Sequence, residues 1–401
     1  MDSRLSPAAA EMLAGIRVID ADTHLSEPHD LWTKRAPRAL RDRVPQVKVL
    51  NGEPCWVIDG DISIGTGAHP ASAIRKDGVK PPGMWFKEAT IETCHPGSHD
   101  TKARLEVMDQ SGIWGQIVYP NTLGFGGQRA AKVDPELRLA VTQIYNDAML
   151  ELQHDSGQRI FPMALLPWWD VQQSAREAER THTLGLRGIN INSDPEGHLD
   201  SRGNPLPDLG HPHWNPLWEI CSDRNLPINF HIGASERAMD WFGSQSWSSM
   251  SDERRLIVGS TMLFTNNGRV MANLMMSGLL DRYPKLQFVS VESGLGWIPF
   301  LLEALEYEFS EVNTWVRLEL KASEYFARNF YACFWFEQRN QSHVIRAVGV
   351  DNVMFETDFP HPTCLYPEPL EHAAKVLAGF DASSRSKIMG GNAARVYGIP
   401  G

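Results

Sequence analysis

Cysteine is scarce and poorly placed for cross-linking. Cys55, Cys94, Cys221, Cys333 and Cys364 are odd in number, widely scattered and form no C-x-x-C pair. That excludes a disulfide framework and points to a reducing compartment. No stretch reaches about 18 uninterrupted apolar residues, so no membrane span is expected. Residues 1–15 lack a basic start followed by an apolar segment, which argues against a signal peptide, and the expected location is the cytoplasm. Positive charge is also short. The 38 Lys and Arg face 49 Asp and Glu, a net charge of −11, and no Lys/Arg run offers a local exception. General attraction to nucleic-acid phosphates is thereby excluded, leaving small-molecule chemistry.

The chain does hold enough apolar residues, 42% of 401, to bury a large core. Apolar runs alternate with helical patterns along most of it. Strands are predicted near residues 18, 116, 163, 189, 229, 288, 332 and 354, nearly all separated by helices. Such alternation implies a parallel sheet, and eight units suggest an α/β fold of the (β/α)₈ TIM-barrel type. A doubly wound open sheet is the alternative, but no G-x-G-x-x-G follows the first strand. We expect a single metal-dependent barrel over 1–401, with 28–100 inserted after the first strand as a cap. Within it, Val47 to Val57 reads as a hairpin turning at Asn51-Gly52. His69, His95 and His99 lie there on loops and read as solvated. Single helices are expected over 262–280 and 297–328, the first with methionines as core filler.

Active sites of such barrels lie at the C-terminal ends of the strands. Asp22 and His24 follow the first strand, two residues apart and so on one face. His231 ends the fifth strand, Glu292 the sixth and Asp358 the eighth. Singly, each reads as a cap or a satisfied polar group. Five ligand-competent residues converging on one mouth point to a metal site. Mixed imidazole and carboxylate donors suit Zn, Fe or Mn. Three acids around one divalent ion would leave a surplus of negative charge, so one ion and two are both open.

Four stretches together resemble the amidohydrolase superfamily: Asp22-Thr23-His24, Asn229 to Gly233, Glu356 to Pro362, and Gly391 to Gly398. The similar branch holds aminocarboxymuconate-semialdehyde decarboxylase, resorcylate decarboxylase and related C–C hydrolases. The resemblance runs from about Val18 to Ile399 and implies a metal-dependent TIM barrel and a homo-oligomer, a homodimer in form. Two departures stand out. The first-strand motif is Asp-x-His rather than His-x-His or Glu-x-His, and Glu292 stands where the decarboxylase branch carries a histidine. The fourth strand offers only Asn190 and Asn192, with no lysine or glutamate to bridge two ions.

The acidic site favours hydrolysis as the expected chemistry. Metal-bound hydroxide would attack a carbonyl in a C–C, thioester or amide derivative of an organic acid. Catalytic roles are expected for Asp358 as proton shuttle, for Glu292, and for His361 as assistant or orienter. Nonoxidative decarboxylation of an aromatic or enol acid is the alternative, and a non-catalytic binding protein a third. Glu27 reads as a partner of loop amides or as a further ligand. Trp168, Trp169, Trp241, Phe242, Trp247, Trp297, Trp335 and Phe336 near strand exits suggest an aromatic or bulky apolar acid substrate. Arg129, Arg187 and Arg237 are the cations placed to receive its carboxylate.

Overall fold

The computed structural model describes residues 5–65, 67–235, 247–312 and 315–400. Eight parallel barrel positions are present: β1 (Ile19–His24), β5 (Gly115–Tyr119), β6 with β7 (Ile160–Pro162, Ala164–Leu165), β8 (Ile189–Asn190), β9 (Ile228–His231), β10 (Phe288–Val291), β11 (Phe330–Phe334) and β12 (Val353–Phe355). Hydrogen bonding runs in two arcs, β1-β5-β6 and β7-β8-β9-β10-β11-β12. Met163 breaks the third position, yet its N–H still reaches the Val118 carbonyl, and Ala164 N–H reaches Gly188. The last seam is closed by His24 N–H on Phe359 O (2.8 Å) and Asp358 N–H on Asp22 O (3.0 Å). The (β/α)₈ expectation holds.

Ile19, Ala21, Ile117, Tyr119, Phe161, Val289, Val291, Cys333 and Met354 fill the barrel, and Ala393, Val396 and Tyr397 of the C-terminal segment pack against them from the strand-entry end. A larger apolar layer joins the barrel to its helices. The strand β1 carries a register shift between Asp20 and Thr23. Such bulges re-aim side chains next to active sites. Here Ile19 and Ala21 face the barrel core below the shift, and Asp22 and His24 face the inside above it.

Local signals fix several elements. Asp134 caps the helix Pro135–Asp155 and Asp100 caps Thr101–Ser111, which ends at Gly112 with φ 71°. In the 28–100 region β2 (Gln46–Leu50) pairs antiparallel with β3 (Glu53–Ile58), and β4 (Ile62–Ser63) adds to it. Asn51 and Gly52 both take positive φ, as a tight hairpin turn requires. Two expected helices are broken. The 262–280 stretch divides into the end of Asp252–Leu263, then Asn267–Met276 and Leu279–Arg282, parted at 264–266 and at Gly278 with φ 71°. The 297–328 stretch divides into Ile298–Val312 and Ala322–Asn329. Among the described residues no helix is long and apolar enough to cross a membrane.

Candidate metal centre

The strand ends bring four side chains from three walls to one point. His231 Nε2 lies 3.5 Å from Asp22 Oδ1 and 3.3 Å from Glu292 Oε2, and His24 Nε2 lies 3.6 Å from Asp22 Oδ1. A second set overlaps the first, since His24, Glu292, Asp358 and His361 also have ligand atoms within 4.8 Å of one another. His24 Nε2 to Asp358 Oδ1 is 3.7 Å. All of these residues are buried.

Their donor atoms are left unengaged by protein. Both carboxylate oxygens of Asp22, both ring nitrogens of His24 and His231 Nε2 are buried without a hydrogen bond. A buried polar atom with no partner is expensive, and in native structures it signals an ion, a water or a functional role. His231 has its tautomer set, because Nδ1 lies 2.7 Å from the Ile232 carbonyl. Nδ1 therefore carries the proton, and the Nε2 lone pair points into the cluster.

The electrostatics agree. Burial, then the neighbouring Asp358 and Asp22 charges, pushes the Glu292 carboxyl well above its usual range. Burial raises Asp22 as well, against the pull of His231. His24 is held well below its ordinary value by burial and by His361 and His231. Two acids pushed up and the His24 imidazole pushed down form a site whose charge balance a divalent cation would reverse. The donor set fits such an ion.

Both strand-exit acids sit on left-handed backbone, Glu292 at φ 52° and Asp358 at φ 59°. Non-glycine residues avoid that region unless their surroundings hold them there. Asp358 Oδ2 accepts from the Thr363 hydroxyl (2.7 Å), and Oδ1 lies 2.8 Å from His361 Nδ1. His361 stacks on His24 with ring centroids 3.6 Å apart. Its Nε2 meets Asn121 Oδ1 at 3.2 Å, and the Asn121 amide nitrogen donates to Leu25 O (2.9 Å). The Asn121 oxygen can only accept, so His361 Nε2 is a donor and Nδ1 is the atom that faces Asp358.

A cavity of about 380 Å³ opens above the cluster, walled in part by Asn121, Phe125, Arg129, Leu263, Glu292 and His361. The Phe125 ring lies 4.2 Å from His231 and 5.1 Å from His24, an apolar cover over both imidazoles.

Several expected contributors lie elsewhere. Glu27 accepts from Asn121 N–H, Thr122 N–H and the Thr122 hydroxyl, so its carboxylate holds a loop. Trp168 and Trp169 pack on each other and are buried, Trp335 packs on Phe264, and Trp297 lies against Gly268 and Leu301 rather than in the cavity wall. Arg187 precedes its strand, so it lines a second cavity at the opposite mouth, where Nη1 donates to Gly398 O. Arg129 does line the upper cavity. Arg237, Trp241 and Phe242 lie outside the described residues.

Three residues were missed. Glu356 is fully buried beneath the cluster, with Oε2 accepting Glu292 N–H (3.2 Å), and burial followed by Asp22 raises its carboxyl well above the usual range. Its place just after the last strand and two residues before Asp358 puts both at the strand exit, a signal the sequence did carry. Asn121 and Phe125 lie on a loop, where no periodicity marks them.

Fold and site together define a barrel enzyme with a buried carboxylate and imidazole centre at its C-terminal mouth. The amidohydrolase family model matches residues 19–399, and the chain belongs to that family. Its sequence is 27% identical over 313 residues to gamma-resorcylate decarboxylase from Polaromonas sp., covering 73% of this chain and 86% of that one. Its fold is similar to an amidohydrolase from Mycobacterium avium subsp. paratuberculosis (TM-score 0.76, 21% identity, 96% and 99% of the two chains). It is also similar to a dihydroxybenzoic acid decarboxylase from Polaromonas sp. solved with manganese and 2-nitroresorcinol (TM-score 0.62, 20% identity, 95% and 97%).

These findings correct the expected chemistry. The curated relative is a carboxy-lyase, so the hydrolase reading falls. Its weakness is physical: an acidic ligand set speaks to the charge of the ion it holds, and metal-assisted hydrolysis and decarboxylation place the same demand on it.

Proposed function

We propose that this chain is a metal-dependent, nonoxidative decarboxylase of hydroxylated aromatic carboxylic acids. The observation that carries the reading is the Asp358–His361 contact of 2.8 Å at the edge of a cavity walled by Phe125, beside the ligand cluster. The activity of the curated relative supports it.

Asp22, His24, His231, Glu292 and Asp358 would hold the ion, and the two overlapping ligand sets that share His24 and Glu292 favour a single centre. Manganese is the ion favoured among Mn, Zn and Fe, because the similar decarboxylase structure contains it. A bound ion would supply Lewis acidity beside the substrate's carboxylate and offset the charge of the buried acids.

The remaining work belongs to side chains. Asp358 Oδ1 delivers a proton to the ring carbon bearing the carboxylate. The bond from that carbon to the carboxylate then breaks, its electron pair restores the aromatic ring, and carbon dioxide leaves. His361 Nδ1 exchanges protons with Asp358, while Asn121 holds the imidazole through Nε2. Phe125 keeps water from the face of His24 and His231. No water is consumed.

Turnover of 2,6-dihydroxybenzoate and related carboxylated phenols in deuterated, ¹⁸O-labelled water tests the proposal. The expected result is carbon dioxide and a phenol with deuterium at the vacated carbon and no ¹⁸O. An ¹⁸O-containing aromatic product, or no turnover across a panel of hydroxybenzoates with manganese supplied, would overturn it.

A further inference from the structure

Behind the cluster, on the outer side of the β1–β12 seam, a second buried carboxylate makes contacts the proposed chemistry does not use. Asp20 is fully buried. Its Oδ1 accepts from Thr357 N–H (2.9 Å), its Oδ2 from the Thr357 hydroxyl (2.6 Å) and from Gln116 Nε2 (3.3 Å). Gln116 Oε1 in turn accepts from Arg104 Nη1 (3.0 Å), and Arg104 also donates to the carbonyls of His24 and Gly97. Arg104, itself fully buried, thus ties the end of β1 to the helix Thr101–Ser111.

The position of these bonds matters more than their number. Asp20 lies two residues before Asp22 on one strand, and Thr357 lies one residue before Asp358 on the other. The arcs of the barrel are not joined by a continuous ladder here, and among the described residues the main-chain links across the seam are the bonds from His24 and Asp358 and a single bridge at Thr23 and Phe359. Asp358 also occupies left-handed backbone, so its side chain direction depends on what grips the residue before it. The two bonds from Asp20 to Thr357 supply that grip.

We infer that Asp20 is a positioning residue for the metal centre: through Thr357 it sets the distance and angle between the wall carrying Asp22 and His24 and the wall carrying Asp358. The inference rests on the metal-centre reading and not on the reaction. Partners that orient metal ligands from behind typically contribute ~10–100-fold in metal affinity.

Cobalt(II) titration of the chelator-treated full chain, followed by visible absorption, reads this without any substrate. Asp20→Asn and Thr357→Val should each weaken cobalt binding by ~10–100-fold, with altered absorption bands. Thr357→Ser, which keeps the hydroxyl, should bind as the unaltered protein does. The double variant should be no weaker than the weaker single one, since both delete one connection. Melting in chelator separates folding from positioning. Variants that melt earlier yet bind cobalt with unchanged affinity and spectrum would overturn the inference. Should Asp20→Asn fail to fold, the Thr357→Val and Thr357→Ser pair carries the same comparison. An unaltered protein that binds no divalent ion would instead overturn the metal centre, and this inference with it.

Discussion

The two mouths of the barrel each hold a cavity, and the larger one is not the site. The lower cavity, about 520 Å³, is lined by Arg187, Arg224, Arg395 and Tyr397, the upper by Phe125, Arg129, Glu292 and His361 at about 380 Å³. Below, the cations already have partners. Arg187 donates to Gly398 O, Arg395 to Asp351 O and the Tyr331 hydroxyl, and Arg224 pairs with Glu179. They also lie where the helices Val171–Leu184 and Asn215–Arg224 end, and cations there complement the negative helix termini. Above, the opposite holds: the acids and imidazoles keep buried atoms with no protein partner. Acid and imidazole atoms gathered within 4.8 Å of one another, and not volume, distinguish the mouth where chemistry is proposed.

Substitution at each mouth puts that contrast at risk. Asp358→Asn should reduce decarboxylation by ~10²–10⁴-fold, the usual share of a positioned acid, while Arg187→Ala at the lower mouth leaves kcat unchanged. Steady-state assays on both variants check this, and comparable losses would break the contrast. Metal removal comes next. A chelator should abolish activity, and restoring the ion at about 100 times its Kd should return about 2.7 kcal/mol of stability. That gain has a pH sign. Asp22, Glu292 and Glu356 have raised folded values, so between the unfolded carboxyl value near 4 and those raised values the folded state holds extra protons. The chelated protein should therefore lose stability as pH rises through this window, and the metal-induced rise in Tm should grow from pH 5 to pH 8. Melts with and without ion measure it, and a rise that shrinks with pH would contradict the ligand set.

Smaller effects sharpen the picture. Phe125→Ala should raise KM about tenfold, or about 1.4 kcal/mol of lost contact, with Tm nearly unchanged. Tyr397→Phe tests the floor between the mouths, where the Tyr397 hydroxyl donates to Asn229 Oδ1 at 2.6 Å. A loss of about 1 kcal/mol of stability in denaturant melts is expected there, with activity retained.

What the chain discloses by pattern is what strands fix. Asp22, His24, His231, Glu292 and Asp358 could be named because strand ends are legible from apolar runs, and the structure gathers them. Glu356 lies two residues before Asp358, but a buried acid below the strand exit carries no mark that separates it from a structural one. Phe125 and Asn121 carry no periodic mark, because their positions depend on a loop that Glu27 anchors from across the mouth. Arg187 was misplaced because its position was judged by nearness to a strand and not by which end it precedes. The second break in the 262–280 stretch falls at Gly278, whose positive φ an apolar count passes over. Charge suggested what the site holds, and it carried no information on which bond is cleaved.

The left-handed backbone at Glu292 and Asp358 has an evolutionary consequence. Each such conformation costs a non-glycine residue on the order of 1 kcal/mol, and each residue also adds a buried acid to a crowded cluster. Glycine or asparagine at either position would relieve strain and repulsion together. A descendant of this chain selected for robustness alone would drift toward a sturdier, inert barrel. Glu292 and Asp358 are thus positions where stability and the proposed activity pull in opposite directions.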